Sequence, residues 1–211
     1  KSAFWVTKKR YGQWIINDGG LECEKLDVKG LDIVRSSFPP AFQKFMTNVL
    51  KAILHNYEKD KIDNFILKFK SSLNEHNIDD IALPSGVKGM TKYKGTKSGG
   101  IFRTPKSGTP AHVKASLAYN DLLSHYKSNH LEPIRNASKI KWVYLKNNPF
   151  QLDALAYKGY DDPKELMNFI KQYIDRDKLY NRALNKKIQM FYDALSWDMP
   201  VDKQNSIERF F

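Results

Sequence analysis

Near residue 36 the hydrophobic rhythm of this chain changes, and that change limits it to strands first and helices after. Before it, Phe4-Trp5-Val6 and Gln13-Trp14-Ile15-Ile16 are short apolar runs, followed by Asp18-Gly19-Gly20 and then Leu21 to Val28. Strand, Asp-Gly turn, strand is a hairpin signal, because glycine accepts the positive φ of a tight turn. After it, Phe42, Phe45, Met46, Val49, Leu50, Ile53, Leu54 and Tyr57 repeat at three and four. That period puts them on one helix face. Ser36 or Ser37 stands ready to cap this helix, and Pro39-Pro40 suit its first turn. A second helix is expected from about Asp60, with Ile62, Phe65, Ile66, Phe69 and Leu73 on its apolar face. Both stripes read as core.

Residues 84–110 break the rhythm. They carry Lys88, Lys92, Lys94, Lys97, Arg103 and Lys106, many glycines and no acid. Loops this long inside a domain are usually functional or disordered. Glycines let backbone approach a strand of phosphates and lysines neutralise it; a solvated linker is the plain alternative. A helix is expected from Pro110, marked by Val113, Leu117, Tyr119, Leu122, Leu123 and Tyr126. Ser138 to Lys146 alternates like a strand, with Ile140, Trp142 and Tyr144 on one face and Lys139, Lys141 and Val143 on the other. Asp153 to Tyr157 is its expected partner. Asp161 should cap a helix with Pro163 in its first turn, and a last helix should run from about Asp175 to Leu195. No internal repeat is visible. The fold class is α+β: mainly helical, with small β-sheet elements, preceded by antiparallel strands.

The 211 residues carry a formal net charge of +12, with 41% hydrophobic residues to form a core. A surplus of that size favours a polyanionic partner, above all nucleic acid. One cysteine, Cys23, excludes an internal disulfide and fits a reducing, cytoplasmic compartment (a host cell's, if the protein is viral). No apolar run approaches the ~18–20 residues of a membrane span. There is no phosphate-cradling Gly-x-x-x-x-Gly-Lys, no Cys/His zinc spacing and no nucleophile motif. His55, His76, His112, His125 and His130 are scattered, and the acid pairs Asp79-Asp80 and Asp161-Asp162 fit helix starts better than a metal site.

The chain ends in Gln204-Asn205-Ser206-Ile207-Glu208-Arg209-Phe210-Phe211. Ile207 and Phe210 are three apart and share one helical turn. Phe211 extends that apolar knob, and Gln204 precedes it as a polar anchor. Pro200, with Asp198, Asp202 and Lys203 around it, reads as a loop freeing the tail. The pattern resembles the peptide by which DNA-replication proteins bind a ring-shaped sliding clamp; a turn folded back on the core is the alternative.

Several segments, in order, resemble the C-terminal third of family B DNA polymerases, closest to those of T-even-like phages. Lys8-Lys9-Arg10-Tyr11 resembles the Lys-Lys-x-Tyr motif ending the palm, and Lys25 to Ser37 the passage from palm to thumb. Ala111-His112-Val113-Lys114-Ala115-Ser116-Leu117-Ala118-Tyr119-Asn120 is similar to a thumb motif ending in Tyr-Asn. Lys141-Trp142-Val143-Tyr144-Leu145, with Asn148-Pro149-Phe150, is similar to its strand and Asn-Pro-Phe turn. The resemblance implies a palm edge at 1–35, a thumb at 36–197 and a flexible clamp-binding tail at 198–211. It implies that Lys9 and Tyr11, beside Lys8 and Arg10, reach the minor groove of primer-template DNA. Lys29 and Arg35 would meet phosphates, and His112, Lys114 and the basic loop would hold the departing duplex. Gln204, Ile207, Phe210 and Phe211 would bind the clamp.

The family's Asp-Thr-Asp motif, its fingers and its exonuclease carboxylates have no counterpart here. Two-metal phosphoryl transfer needs such ligands, so Mg2+ is expected in a catalytic palm carried by a larger polymerase chain or upstream portion. The first residue, Lys1, is not Met, which fits a cut piece or one subunit of a split polymerase. The competing reading is a stand-alone, non-enzymatic DNA-binding accessory protein recruited by a sliding clamp.

Overall fold

The computed structural model describes residues 2–128, 130–159 and 161–201. In chain order the first elements are β1 (Ser2–Thr7), β2 (Arg10–Asp18), β3 (Leu21–Lys29), α1 (Pro40–Leu54), α2 (Lys59–Ser71), α3 (Ile78–Ile81), β4 (Leu83–Gly86) and α4 (Met90–Tyr93). There follow α5 (Ala111–His125), β5 (Lys139–Tyr144), β6 (Ala154–Tyr157), α6 (Lys164–Tyr173), α7 (Arg176–Tyr180) and α8 (Lys186–Leu195). They form two compact units: one from the described residues up to Asp80 together with those from Tyr180 on, the other Ile81–Leu179. The mixed class expected from the sequence is what the elements give, in two small antiparallel sheets and a set of helices.

In the first unit β1, β2 and β3 lie side by side in sequence order. Phe4 and Gly12 face each other across β1 and β2, and both are buried. Gly12 has no side chain because Leu50 of α1 fills the space a Cβ would need. Phe4 meets Phe191 of α8 edge-on, with ring centroids 5.4 Å apart. On α1, Phe45 stacks on Phe69 and Phe65 of α2 at 4.0 and 5.1 Å. The stripe Phe42, Phe45, Met46, Val49, Leu50, Ile53, Leu54 is buried throughout, as its spacing foretold. Tyr57 is not; it lies past the helix end and is exposed. Neither Ser36 nor Ser37 is the N-cap. Pro39 is, in extended conformation and with no side-chain hydrogen bond to give.

The second unit is built on the sheet β4-β5-β6, all antiparallel. β5 is the middle strand, so Val143 is buried as fully as its neighbour Trp142 rather than sharing a polar face with Lys139 and Lys141. The Trp142 indole donates to Ser85 Oγ at 2.9 Å. β6 is buried at all four positions, and α5 packs against it. Pro110 and Pro163 are the N-caps of α5 and α6, so Asp161 does not cap. Asp175 does: its carboxylate accepts the Lys178 amide at 2.9 Å. The expected final helix is interrupted by a π-helical stretch, Asn181–Asn185, between α7 and α8. No helix among the described residues is long and apolar enough to cross a membrane.

Candidate nucleic-acid interface

Thr7 pairs with Arg10, leaving Lys8 and Lys9 as the turn between β1 and β2. Lys9 has φ +68°, a region that costs a side-chain-bearing residue energy. What holds it is Gly30, itself at φ +70°: a Cβ on Gly30 would run into the Lys9 carbonyl oxygen. The end of β3 is thereby locked beneath the basic turn. Register puts Trp5, Tyr11 and Lys29 in one cross-strand row, with Trp5 and Tyr11 rings 4.5 Å apart. Trp5 is 57% exposed, and Lys8, Lys9, Arg10 and Lys29 are exposed too. Four cations and an aromatic pair therefore share one end of one sheet. Arg35 follows on the chain, but it is engaged by Asp32 at 2.8 Å. The other Asp32 oxygen binds Lys187 at 2.7 Å, a cation of α8 that spacing did not single out.

The stretch 84–110 is not a bare loop. It contains all of β4 but Leu83, and α4, and Thr96 and Thr104 bridge by two backbone hydrogen bonds of 3.3 and 2.8 Å. Gly95, at φ +64°, lets that bridge close, since a Cβ there would strike Thr104 backbone. Lys88, Lys92, Lys94, Lys97 and Lys106 are exposed along it. Lys92 lies 5.0 Å over the ring of Tyr93.

Arg103 departs from that pattern. Asp121 on α5 accepts its Nη2 at 2.5 Å, its Nε at 2.9 and 3.0 Å, and its backbone amide at 2.9 Å. Asp121 is 1% exposed, and the bond raises the Arg103 pKa further. A buried carboxylate needs its cation, so Arg103 belongs to the packing and not to a free basic surface. Lys114 pairs with Asp153 at 3.2 Å on the surface, a bond of little strength that a phosphate can replace. His112 is half-buried at the start of α5, and burial pushes its pKa down.

Three polar side chains absent from the candidate set organise the second unit. Asp162 is buried; it accepts the Tyr119 hydroxyl at 2.7 Å and the amides of Lys158 and Gly159 at 2.6 and 2.9 Å. Asn120 bonds both the amide and the carbonyl of Ile134. Asn148 donates to the carbonyls of Lys146 and Leu152 and accepts the amides of Phe150 and Leu152. The sequence signal for Asn120 and Asn148 was their place inside the Tyr-Asn and Asn-Pro-Phe segments; Asp162 stood out only as half of the acid pair Asp161-Asp162, read as a helix start. Among the described residues no group of three or more His, Cys, Asp or Glu could hold a metal ion, so a two-metal centre does not fit them. Gln204, Ile207, Phe210 and Phe211 lie outside the described residues.

Comparison with known proteins supplies the family. The model of DNA polymerase family B matches residues 1–195. The DNA-directed DNA polymerase of Escherichia phage RB69 is 26% identical over 200 residues, 92% of this chain but 21% of that protein. A human protein described as putative protein SSX8 is 26% identical over 103 residues, 46% of this chain and 54% of that protein. This chain thus spans about a fifth of the phage polymerase's length. With the family model covering nearly all of it, the chain belongs to DNA polymerase family B.

Proposed function

We propose that this chain is the palm edge and thumb of a DNA-directed DNA polymerase, gripping primer-template duplex while a larger chain or portion performs the chemistry. The observation that carries the reading is the gathering of Lys9, Tyr11 and Lys29 at one sheet end, in a chain of this family. Minor-groove acceptors of all base pairs lie in similar places, so an ammonium and a phenol there sense pairing without reading sequence. Lys8, Arg10, Lys29 and Arg35 meet backbone phosphates. The lysines at 88, 92, 94, 97 and 106, with His112 and Lys114, hold the duplex as it leaves. Metal-binding aspartates, Mg2+, fingers and exonuclease come from the larger partner, and the tail recruits a sliding clamp.

The test is reconstitution. The purified chain alone extends no primer with Mg2+ and all four nucleotides. Mixed with a polymerase polypeptide carrying the missing elements, it co-purifies with that polypeptide and restores extension. Extension by the chain alone, or absence of both co-purification and stimulation, overturns the reading; the second outcome would leave a DNA-binding accessory protein.

A further inference from the structure

The second unit contains an open groove of about 700 Å³, between the 102–109 segment, the first turns of α5 and the 150–154 segment. That volume lies within the ~300–1,000 Å³ of ordinary ligand sites. Two rings line it, Phe102 and Phe150, with centroids 5.2 Å apart and planes at 58°. From Phe150 the row of rings continues to Phe169 at 5.2 Å and to Tyr173 at 4.8 Å. All four rings are half-buried, so each keeps some surface for a ligand. Lys106 and Lys114 stand on the groove walls, with Asp153 as the acid beside Lys114.

Each of the two groove rings is fixed from behind by a buried polar side chain. Phe102 precedes Arg103, whose amide and guanidinium are both held by Asp121. Phe150 has its own amide on Asn148 Oδ1 at 3.2 Å, and the next amide but one is held by the same oxygen. Gln151, between them, takes φ +53° to close that turn. Rings positioned in advance lose little freedom when something stacks on them.

We infer that this groove takes an unpaired DNA strand, its bases stacking on Phe102 and Phe150 and its phosphates lying along Lys106 and Lys114. A duplex offers proteins base edges and phosphates, and phenylalanine has nothing with which to hydrogen-bond an edge. An unpaired strand offers base faces, and aromatic stacking accepts every base. The charge favours a polyanion over an apolar peptide: Lys106 and Lys114 stand on the groove walls against one acid, Asp153, and the 84–110 segment that supplies one wall has no acid. This goes beyond the duplex grip: Lys106 and Lys114 serve both readings, whereas Phe102 and Phe150 belong to this one alone.

The experiment uses the full 211-residue chain and fluorescence anisotropy with three probes of equal length: oligo(dT), an abasic strand with the same phosphates, and a mixed-sequence duplex. Oligo(dT) should bind ~10-fold or more tighter than the abasic strand, the effect of stacking about one base. The variant Phe102→Leu/Phe150→Leu keeps apolar volume but loses the ring faces. It should lose that same factor toward oligo(dT) while duplex affinity stays, with thermal melting checked in parallel. Equal binding of oligo(dT) and the abasic strand by the unaltered chain overturns the proposal, whatever the variant does. So does an equal loss toward duplex and oligo(dT). Tighter binding of an acidic Phe-rich peptide than of oligo(dT), lost in the same variant, would assign the groove to a protein and also overturn it. Failure of duplex binding alone counts against the grip and leaves the groove standing.

Discussion

Gly30 and Lys9 meet backbone to backbone, both at positive φ, with no room for a side chain between them. Gly30→Ala should therefore act twice, straining its own φ and pushing the basic turn away. We expect a loss of at least ~2 kcal/mol in urea unfolding. Gly19→Ala is the control: its φ is +65° but nothing lies within 4 Å, so it should cost about 1 kcal/mol. Equal costs would mean the Lys9 contact does not constrain the turn.

Arg103 and the loop lysines should separate cleanly. Arg103→Ala strands the buried Asp121 carboxylate and should cost about 3–5 kcal/mol. Replacing Lys92, Lys94 and Lys97 by Gln should leave melting unchanged. It should flatten the log-log salt slope of duplex binding, expected near −4 to −5, by about two to three. An unchanged slope would make the segment a linker.

Lys9→Ala and Tyr11→Phe should slow primer extension by the reconstituted polymerase more than they weaken duplex affinity. Their proposed task is to position a terminus, and small misplacements cost rate steeply. Small, equal losses in rate and affinity would count against a minor-groove role.

Alkali should destabilise both units. Burial, and then the bond to Asp162, pushes the Tyr119 pKa up; burial and Asp63 do the same to Tyr192. Burial pushes Tyr180 up to about 12. An unfolded tyrosine titrates at about 10. Above that pH the unfolded chain has released phenolic protons that the folded chain still binds. The folded state holds more protons, so stability is constant below about pH 10 and falls as pH rises above it. Tyr119→Phe/Tyr192→Phe should decline less steeply, as followed by urea midpoints between about pH 8 and about pH 11.5.

The tail should matter only with a clamp. Two Phe rings and an Ile bury on the order of 400 Å² of apolar surface, about 10 kcal/mol gross. Ordering and association cost a comparable ~4–15 kcal/mol, which leaves a weak contact. Tethering through DNA already held raises the effective concentration toward about millimolar, so weak is sufficient. Phe210→Ala/Phe211→Ala should shorten products made with the clamp and leave synthesis without it unchanged. A fall in melting temperature, with no dependence on the clamp, would mark the tail as packing.

The face of α1 was legible because burial follows period: the stripe from Phe42 to Leu54 is core. On α2 the same reading is right for Ile62 and Ile66 but not for Phe65, which stacks on Phe45 from the rim and stays 37% exposed. Caps were less legible, because they depend on backbone dihedrals more than on nearby polar residues. Pro39 and Pro163 stand where serine and aspartate were expected, with ψ 140° and 136°, whereas Pro110 begins α5 as its place predicted. Lys88, Lys92, Lys94, Lys97 and Lys106 are exposed, which both a phosphate-facing segment and a solvated linker require, and the sequence groups Arg103 with them. Arg103 is instead paired, and its partner lies 18 residues away, where a non-local ion pair leaves no periodic trace. Tyr119, Asn120 and Asn148 show a related gap. Composition treats them as surface-capable polar residues, whereas folding uses them to tie separate segments together.

The first sheet has two unlike borders. Along β3 stand Glu22, Glu24, Lys25, Asp27 and Lys29, charges that repel an incoming strand. β1, which among the described residues pairs only with β2, reads Ser-Ala-Phe-Trp-Val-Thr and carries none. Addition to this sheet is therefore one-sided. Left alone in solution, the described β1 is an uncharged template: concentrated stocks are expected to self-associate through that strand, and Ala3→Lys should raise the concentration they tolerate.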